Sequence, residues 1–462
     1  MTRASQSMSF VCFVFLATLT STLARADDWP QWLGPDRDGI WREKGIVEKF
    51  PKGGLKERWH ADVGMGYAGP AVAGGKVYVL DRVLDEGAKN PDNPFAKGKI
   101  GGKERVLCLK ESTGEKLWTH EYDCTYEVAY PAGPRTTPLI DGDHVYALGT
   151  MGDLYCLDTD KGKVVWSKNL RKEYKAAVQT WGFSASPLLD GDKLICLVGG
   201  EDSLVVAFDK TSGKELWRSL PGIRQGYCPP IICERGGKKQ LIVWDPAELH
   251  SLDPENGKEY WSEPFPVKSD LTVPTPRLHG DNLLVTSFYN GSMLLQLDKN
   301  KPAATVVWKG KGKGELPNQT DGLHSIMPTP YIRDGYIYGV CSHGELRCLK
   351  QEDGSRVWET LEATTKDKKP VRWGNAFLTP VGYTDRCLIF NELGDLILAR
   401  LTPKGYEEIS RAHIIEPTNR MATFGIGRDK AFPVVWSHPA YANRCVYARS
   451  DERIVCLSLA AE

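Results

Sequence analysis

A pattern of eleven residues recurs along this chain and limits the folds that the chain can adopt. In the stretch Ala207–Trp217, AFDKTSGKELW, a glycine lies six residues after the alanine and a tryptophan lies ten residues after it. Each copy predicts a strand, a tight turn through the glycine, and a second strand that ends at the tryptophan. The same spacing starts at four further positions, namely Cys108, Cys156, Ser251 and Cys348. The chain is therefore interpreted as a repeat protein.

Two further copies of the pattern are irregular. One starts at Ala399 and keeps the glycine, Gly405, but has Ile409 where the tryptophan is expected. The other copy is longer by two residues, has Pro302 in its turn and still reaches Trp308. Because both copies preserve the order of strand, turn and strand, the repeat is expected to continue through them.

The distance between copies indicates the architecture. Successive tryptophans of the pattern, from Trp118 to Trp358, lie 44 to 51 residues apart. This period is too long for the helix pairs of solenoids and is typical of the four-stranded blades of a β-propeller. Each repeat also begins with a proline that precedes a strand, and eight such prolines predict an all-β, eight-bladed β-propeller of four-stranded antiparallel blades. The prolines are Pro70, Pro138, Pro187, Pro230, Pro276, Pro330, Pro380 and Pro439.

The two ends of the chain supply parts of one blade. After Pro439 the sequence predicts three strands and no tryptophan strand. Near the other end, Leu55–Trp59 is typical of a tryptophan strand, but no companion strands precede it. Pairing the two parts removes an open sheet edge, so the last blade is expected to be closed by the N-terminal strand. We therefore predict an extension over residues 27–54 and a single propeller over residues 55–462.

The first and last positions of the pattern are expected to be buried. Large aromatic side chains contribute most where they are fully packed, so the tryptophans are expected to lie between neighbouring blades. Cysteine recurs at the first position, where it serves as a small buried side chain. A disulfide such as Cys445–Cys456 stays open as an alternative, and no cysteine or histidine spacing is typical of a zinc site. The predicted docking residues are Trp59, Trp118, Trp166, Trp217, Trp261, Trp308 and Trp358.

Residues 1–26 have the features of a secretory signal peptide. Arg3 precedes the apolar run Phe10–Leu19, and Ala24-Arg25-Ala26 is typical of a cleavage site. The run is too short to span a bilayer, and no other stretch is predicted to cross one. Cys12 lies inside the run without a lipobox, so a lipoprotein is not expected. We predict cleavage after Ala26 and a periplasmic, monomeric protein.

The charge balance bears on the partners. The chain has 59 basic and 59 acidic residues, and removal of Arg3 and Arg25 with the signal peptide leaves a formal charge of −2. A nearly neutral chain without basic runs argues against a nucleic-acid partner.

The recurring pattern resembles the tryptophan-docking motif of the pyrroloquinoline quinone (PQQ) propeller family, Ala-x-Asp-x-x-Thr-Gly-Lys-x-x-Trp. Residues 207–217 match this consensus at the alanine, aspartate, glycine, lysine and tryptophan. The segment Asp28–Pro35, DWPQWLGP, resembles the WPQWRGP opening of PQQ-like repeat proteins that are abundant in planctomycetes, with Leu33 in place of arginine. The family contains quinoprotein dehydrogenases and also non-catalytic propellers similar to BamB, an outer-membrane assembly lipoprotein. The resemblance therefore implies the fold and leaves the cofactor open.

The residues that precede each blade's proline are the candidate ligand-binding site. The connections into the innermost strands of a propeller converge on its axis, and these connections are rich in aromatic, arginine and histidine residues. They predict a polar and aromatic pocket at one mouth of the channel, suited to a planar, anionic or carbohydrate-like ligand. The alternative is that the aromatic residues cap the core and the polar groups satisfy loop backbone. The candidates are Tyr67, Tyr130, Arg135, Trp181, Tyr227, His324, Arg372, Trp373, Asn375, Trp436 and His438.

The resemblance also implies what a PQQ site would contain. In the dehydrogenases the cofactor stacks between a tryptophan and a disulfide of adjacent cysteines, a Glu/Asn pair binds calcium, and an aspartate is the base. This sequence has no adjacent cysteines and no aspartate beside Asn375. Trp181 or Trp373 could form the floor, and Arg135 or Arg372 could meet carboxylates.

The sequence therefore favours an exported, non-catalytic propeller, similar to BamB, that binds an envelope protein or a glycan, with no catalytic residue and no metal assigned. The alternative is a PQQ-dependent oxidoreductase that uses PQQ and calcium. A third hypothesis is a hydrolase or lyase that uses His324 or His438 as its base, and it requires those residues to face the channel. The segment Asp85–Lys103 is predicted to be an exposed loop, either a flap that contacts a partner or a tolerated insertion.

Overall fold

The strands of this chain assemble into a ring of blades. The computed structural model describes residues 27–312, 314–365, 369–420 and 433–461, so the predicted signal peptide lies outside the described residues. Within those ranges the strands form eight four-stranded antiparallel sheets, which are the blades of a propeller. The prediction of an all-β, eight-bladed propeller is therefore confirmed.

The blades follow one another along the chain, each from its innermost to its outermost strand. The strands of the first four blades are β2 (Ala71–Ala73), β3 (Lys76–Leu84), β4 (Gly102–Lys110) and β5 (Lys116–Asp123); β6 (Leu139–Asp141), β7 (His144–Leu148), β8 (Asp153–Asp158) and β9 (Val164–Asn169); β10 (Leu188–Asp190), β11 (Lys193–Gly200), β12 (Ser203–Asp209) and β13 (Glu215–Ser219); and β14 (Ile231–Arg235), β15 (Lys238–Trp244), β16 (Glu248–Leu252) and β17 (Glu259–Pro264). A short helix, α1 (Leu170–Tyr174), follows β9, and a single 3-10 turn (Lys268–Asp270) follows β17.

The second half of the ring repeats this order and ends with a blade that is shared by the two ends of the chain. Its strands are β18 (Arg277–His279), β19 (Asn282–Ser287), β20 (Gly291–Leu297) and β21 (Ala304–Lys309); β22 (Tyr331–Arg333), β23 (Tyr336–Val340), β24 (Leu346–Lys350) and β25 (Arg356–Thr360); β26 (Ala376–Pro380), β27 (Arg386–Asn391), β28 (Asp395–Thr402) and β29 (Gly405–His413); and β30 (Ala440–Ala442), β31 (Cys445–Arg449), β32 (Arg453–Ser458) and β1 (Glu57–Asp62).

The innermost strand directly follows its proline in seven blades of the described chain, but the seventh blade differs. There β26 begins at Ala376, four residues before Pro380, so the prediction that this strand follows the proline was wrong. The residues on either side of Val381 are instead engaged by the N-terminal segment: Trp41 N–H donates to the Pro380 carbonyl at 2.9 Å, and Gly382 N–H donates to the Trp41 carbonyl at 2.7 Å. The backbone that would have extended the strand beyond the proline is therefore paired elsewhere.

The glycine and the tryptophan of the pattern meet between blades. Gly213 lies in the turn of the third blade with φ +68°, and a Cβ atom on it would lie 2.7 Å from the ring of Trp166, which belongs to the second blade. The Trp166 indole N–H donates to the carbonyl of Lys210 in the same turn at 3.0 Å. The same pairing of a tryptophan with the next blade's turn recurs for Trp118 with Thr159 and for Trp217 with Pro254. The repeat therefore encodes the contact between neighbouring blades.

Trp261 is an exception to this docking. The turn of the following blade is the copy that is longer by two residues and contains Pro302. The Trp261 indole N–H donates at 2.9 Å to Oε1 of Gln240, a residue of its own blade, and its side chain is only partly buried. The irregular turn and the tryptophan that does not dock on it therefore lie at the same interface between blades.

Substitution of Gly213 by alanine is expected to destabilise the protein more than the same change at a matched glycine. Gly191 has a similar φ of +62° but has no atom within 4 Å of a new Cβ. We expect Gly191→Ala to lower the free energy of unfolding by about 1 kcal/mol through backbone strain alone. Gly213→Ala adds overpacking against Trp166, which brings the loss to about 2–4 kcal/mol. Urea unfolding of both variants measures the difference, and equal losses would contradict the packing role.

The N-terminal strand closes the eighth blade. Strand β1 pairs antiparallel with β32, with Trp59 opposite Cys456 and Asp62 opposite Arg453. The Trp59 indole N–H donates to the carbonyl of Glu111 in the first blade, so β1 also joins the last blade to the first. The prediction that the N-terminal strand completes the last blade is confirmed.

The segment before β1 crosses the centre of the ring. Trp29 exchanges backbone hydrogen bonds of 2.8 and 2.9 Å with Val72 in the first blade. Ile140 N–H in the second blade donates to the Pro30 carbonyl at 2.9 Å, and Arg37 donates to carbonyls at the start of the third and fourth blades. Because these contacts reach innermost strands on several sides, residues 29–41 block the central channel. We call these residues the plug; the sequence predicted an extension here and no role for it.

Two further properties concern the described residues as a whole. The eleven cysteines in this part of the chain are buried and carry free thiols, so the Cys445–Cys456 pair is not bonded. None of the helices in the same ranges has the length and apolar character needed to cross a membrane.

Candidate functional site

A cavity of about 380 Å³ lies on the face of the ring where the connections lead into the innermost strands. Its walls come from those connections and from the turns between the second and third strands of two blades. We call this cavity the aromatic cup, and eleven of its twenty-two lining residues are aromatic. The lining residues are Trp32, Tyr67, Phe95, Tyr130, Arg135, Trp181, Ser184, Ser186, Tyr227, Pro229, Ser269, Leu271, Val273, Phe288, Tyr289, Ile326, Met327, Arg372, Trp373, Phe377, Trp436 and His438.

The plug supplies the floor of the aromatic cup. The Trp32 indole N–H donates to Thr275 Oγ1 at 2.8 Å, which ties the ring to the fifth blade. The same ring meets the His438 imidazole edge-on, with 4.4 Å between centroids. Among the residues that the structure describes, the plug lies across the channel at this level and closes the lower end of the aromatic cup.

Several wall residues form one aromatic cluster. Tyr130 lies 5.9 Å from Trp436 and 6.3 Å from Trp373, measured between ring centroids. Tyr130 and Trp373 also adopt left-handed backbone conformations, with φ of +53° and +65°. Bulky residues rarely adopt such values, and the strained conformations that persist in proteins cluster at binding sites. Burial raises the pKa of the Tyr67 and Tyr227 phenols, so both stay neutral.

The long loop of the first blade reaches the rim of the aromatic cup. Phe95 in this loop is 40% exposed and meets Tyr130 edge-on at 5.2 Å. The Tyr130 N–H donates to the Pro94 carbonyl at 2.7 Å, which fixes the loop against the wall. The segment predicted as either a flap or a tolerated insertion therefore contributes an exposed aromatic side chain to the mouth of the cup.

Arg135 is held in the wall by main-chain carbonyls. Its Nη1 donates to the carbonyl of Gly133 at 2.7 Å, and its Nη2 donates to those of Ala129 and Tyr130 at 2.9 and 2.7 Å. The guanidinium also lies 5.2 Å from the centroid of the Tyr67 ring. The three carbonyl groups are neutral partners, and Arg135 is one of the two arginines in the lining of the aromatic cup.

Arg372 reaches the cup from the connection before the seventh blade. Its guanidinium lies 4.7 Å from the Trp373 ring centroid and 5.7 Å from that of Phe288. Its Nη2 forms an ion pair of 2.9 Å with Glu315, which is not one of the lining residues. Its Nε is buried and has no hydrogen-bond acceptor among the described residues.

His438 is a neutral wall residue. Its Nε2 lies 2.8 Å from Thr137 Oγ1, and its Nδ1 lies 3.3 Å from the carbonyl oxygen of Pro439. Complete burial lowers the pKa of the imidazole to about 4, because no carboxylate offsets the loss of hydration. The ring is therefore uncharged at neutral pH and adds apolar surface to the cup.

Two of the predicted site residues lie outside the cup lining. His324 is fully buried, and its Nδ1 lies 3.2 Å from the carbonyl oxygen of Phe288 in the turn between β19 and β20. Asn375 is also fully buried, and neither atom of its amide has a hydrogen-bond partner among the described residues. The other nine predicted residues are brought together in the aromatic cup.

The site does not fit PQQ held by calcium. Trp181, Trp373 and the two arginines could face a planar carboxylated ring, but the described lining contains no aspartate or glutamate to bind a hard cation. The carboxylate of Glu392 accepts the Trp436 indole N–H at 2.8 Å and lies behind the wall. Within the described ranges no group of three or more histidine, cysteine, aspartate or glutamate residues could hold a metal ion. No chemical step through this cofactor follows from the residues present.

Comparison with known families decides the relationship. A family model described as "Outer membrane protein assembly factor BamB" matches residues 102–360 and 247–461, which together make up most of the chain. The chain belongs to this family. It is 21% identical over 237 residues to the outer membrane protein assembly factor BamB of Yersinia pestis, covering 50% of this chain and 57% of that protein.

Other relatives of this BamB-family chain include enzymes. It is 22% identical over 268 residues to a 1-butanol dehydrogenase (quinone) of Thauera butanivorans, covering 49% of this chain and 41% of the enzyme. The crystal structure of BamB from Moraxella catarrhalis superposes with a TM-score of 0.52 at 15% identity, covering 82% of this chain and all of that one. The chain thus spans about half the length of the curated relatives it matches, and the structural likeness shows the fold alone.

Several cup residues of this BamB-family chain were not predicted from the sequence. Trp32 lies in the plug, which has no counterpart in the repeats. Phe95 lies in an insertion, and Phe288 and Tyr289 lie in the turn between β19 and β20. These turns do not precede a blade's proline, so the sequence pattern gave no reason to place them at the site. Their aromatic character next to a strand end was the signal that could have revealed them.

Proposed function

We propose that this chain is an exported, non-catalytic propeller that binds an envelope protein or a glycan in the aromatic cup. The observation that carries the proposal is the cup itself, closed below by Trp32 and lined largely by aromatic side chains. Fixed aromatic rings in a concave site give large contact area at low entropic cost. The exposed Phe95 at the mouth extends that contact surface toward a partner.

The chemistry of the cup supports binding over catalysis. The lining histidine, His438, has both ring nitrogens engaged by Thr137 and Pro439 and is neutral at physiological pH. A general base must reach a proton of the substrate within hydrogen-bond distance, and this imidazole has no free nitrogen to do so. The two arginine side chains can attract and orient an anionic ligand.

The relatives point to the cell envelope. Several are named outer membrane protein assembly factor BamB, so we propose that this chain also acts outside the cytoplasm, after removal of residues 1–26. We propose that it is a monomer there and that the face bearing the aromatic cup is its working surface. The quinone-dependent oxidoreductase remains the competing function, because dehydrogenases share the fold.

Site-specific photocrosslinking tests the proposal. A benzophenone amino acid placed at Phe95 is expected to give a discrete crosslinked species in the cells that produce this protein, and mass spectrometry of the adduct distinguishes a protein from a glycan. The matched control is the same group at Tyr383, which is 79% exposed and lies beyond the other end of an innermost strand. No species at position 95, or equal species at both positions, would contradict the proposed surface.

An activity measurement tests the competing function. The purified protein is supplied with PQQ, calcium, a dye acceptor and a panel of alcohols and sugars. We expect no dye reduction above that of the cofactor alone. Turnover that requires the protein would overturn the non-catalytic assignment.

A further inference from the structure

Positively charged side chains lie in the lining of the aromatic cup. Arg135 and Arg372 are both in the lining, and the described lining contains no aspartate or glutamate. Two carboxylates near the wall form ion pairs: Glu315 with Arg372, and Asp270 with Arg224 at 2.9 Å. Among the described residues, Arg135 forms no ion pair, and its terminal nitrogens bond to main-chain carbonyls. An anion in the cup would therefore meet an attractive field.

The surroundings of the two arginines strengthen this field. Aromatic and aliphatic side chains form most of the wall, and Trp32 of the plug lies at the floor. Charges separated by apolar surroundings attract each other more strongly than they do in water. A ligand that occupies the cup must therefore present apolar, flat surface to most of the wall and negative charge to the arginines.

Arg372 is the better placed of the two to contact an anion directly. The two terminal nitrogens of Arg135 are bonded to main-chain carbonyls, so this residue acts through its charge. Arg372 has a buried Nε without an acceptor among the described residues, beside the nitrogen that meets Glu315. A carboxylate offers two acceptor oxygens and forms strong bonds with such a guanidinium edge.

We propose that the aromatic cup binds a flat aromatic group that carries a single carboxylate, without any metal ion, and that Arg372 contacts the carboxylate. This inference rests on the proposed function, because it assigns the ligand chemistry of the same cup. The rings of Trp373 and Phe288 flank the Arg372 guanidinium, so they are the nearest surfaces for the aromatic group.

The ion pair between Arg372 and Glu315 should weaken the binding of a ligand carboxylate to Arg372. Glu315 already forms an ion pair with the guanidinium, so it competes with a ligand carboxylate for the Arg372 side chain. Glu315→Gln keeps the shape of the side chain and removes its charge. We therefore expect Glu315→Gln to bind an aromatic carboxylate more tightly than the wild type. An increase in affinity cannot result from misfolding.

Calorimetric titration of the full chain with paired probes measures the effect. Naphthoate and naphthamide differ in charge and are nearly equal in shape. We expect wild-type protein to prefer naphthoate by about tenfold or more, as for hydrogen bonds to a charged group. Glu315→Gln is expected to strengthen naphthoate binding about threefold or more and to leave naphthamide binding unchanged. Arg372→Gln is expected to abolish the preference for naphthoate.

A matched control excludes a general effect of charge. Arg400→Gln removes an arginine of β28 that is 45% exposed and pairs with Glu407, outside the cup. We expect this variant to keep the wild-type preference for naphthoate. Equal affinities of naphthoate and naphthamide for the wild type, or a loss of naphthoate affinity in Glu315→Gln, would overturn the proposal.

Two sources of the ligand give different results in the same assay. If the source is the last residue of a protein chain, a short peptide that ends in tryptophan should bind, and its amidated form should not. If the source is a free small acid, N-acetyltryptophan and naphthoate should bind and the longer peptide should not. PQQ binding that requires calcium would contradict the metal-free ligand assigned here. A crosslinked partner at position 95 without carboxylate preference would leave the proposed function intact and remove this inference.

Discussion

A chain that begins at residue 63 is expected to lose cooperative unfolding and to accumulate as insoluble protein. This deletion removes β1, so β32 is left as an open edge and the last blade loses the strand that joins it to the first. An exposed strand edge pairs readily with other chains and causes aggregation. The deletion also removes the plug with Trp29 and Trp41, which are 3% and 1% exposed. Calorimetry and solubility of chains 27–462 and 63–462 measure the effect.

A nested deletion separates the two contributions. A chain that begins at residue 51 lacks the plug but keeps β1, so its ring can still close. We expect it to retain a cooperative transition at a lower melting temperature and to lose the floor that Trp32 provides. A soluble, cooperatively folded chain 63–462 would show that ring closure does not depend on β1.

Trp217→Ala is expected to lower the free energy of unfolding by about 3–5 kcal/mol, as for a buried large aromatic residue. The Trp217 side chain is 8% exposed and packs against Gly257 in the turn of the fourth blade. Its indole N–H donates to the Pro254 carbonyl at 3.1 Å. Removal therefore leaves a cavity between two blades and an unsatisfied carbonyl. Urea unfolding followed by circular dichroism measures the loss.

Trp261→Ala is the matched control for this prediction. Trp261 occupies the same position of the pattern, but it is only partly buried and bonds to Gln240 in its own blade. We expect the free energy of unfolding to fall by less than about 2 kcal/mol, because a partly buried ring contributes less buried apolar surface to stability. Equal losses at both positions would mean that docking onto the next blade contributes nothing beyond burial of the indole.

The fold could be predicted from the sequence because its main contact is local and repeated. The glycine that needs a positive φ and the tryptophan that packs on it recur at a fixed offset, and each pair joins two neighbouring blades. The shift of the seventh inner strand toward Ala376 could not be predicted. It results from pairing between Trp41 and the residues beside Val381, which are about 340 residues apart in the chain and follow no repeat.

The site could be predicted only where it follows the repeat. His438 directly precedes its blade's proline and reaches the aromatic cup, whereas His324 lies six residues before Pro330 and is buried against the β19–β20 turn. Both histidines precede a proline, but the number of residues between histidine and proline determines where the side chain lies. Trp32 and Phe95 belong to segments without a counterpart in other blades, so no comparison between repeats could place them.

The plug has a consequence for how the protein is made. The Trp32 ring lies 4.4 Å from that of His438, which is 406 residues further along the chain, so these distant residues must meet before the cup is complete. The entropic cost of joining such distant residues grows only slowly with their separation, but contacts of this range form late during folding. Trp32 therefore reaches its position only when nearly the whole chain has been synthesised. A nascent or truncated chain has no finished cup, so it cannot capture a ligand before the molecule is complete.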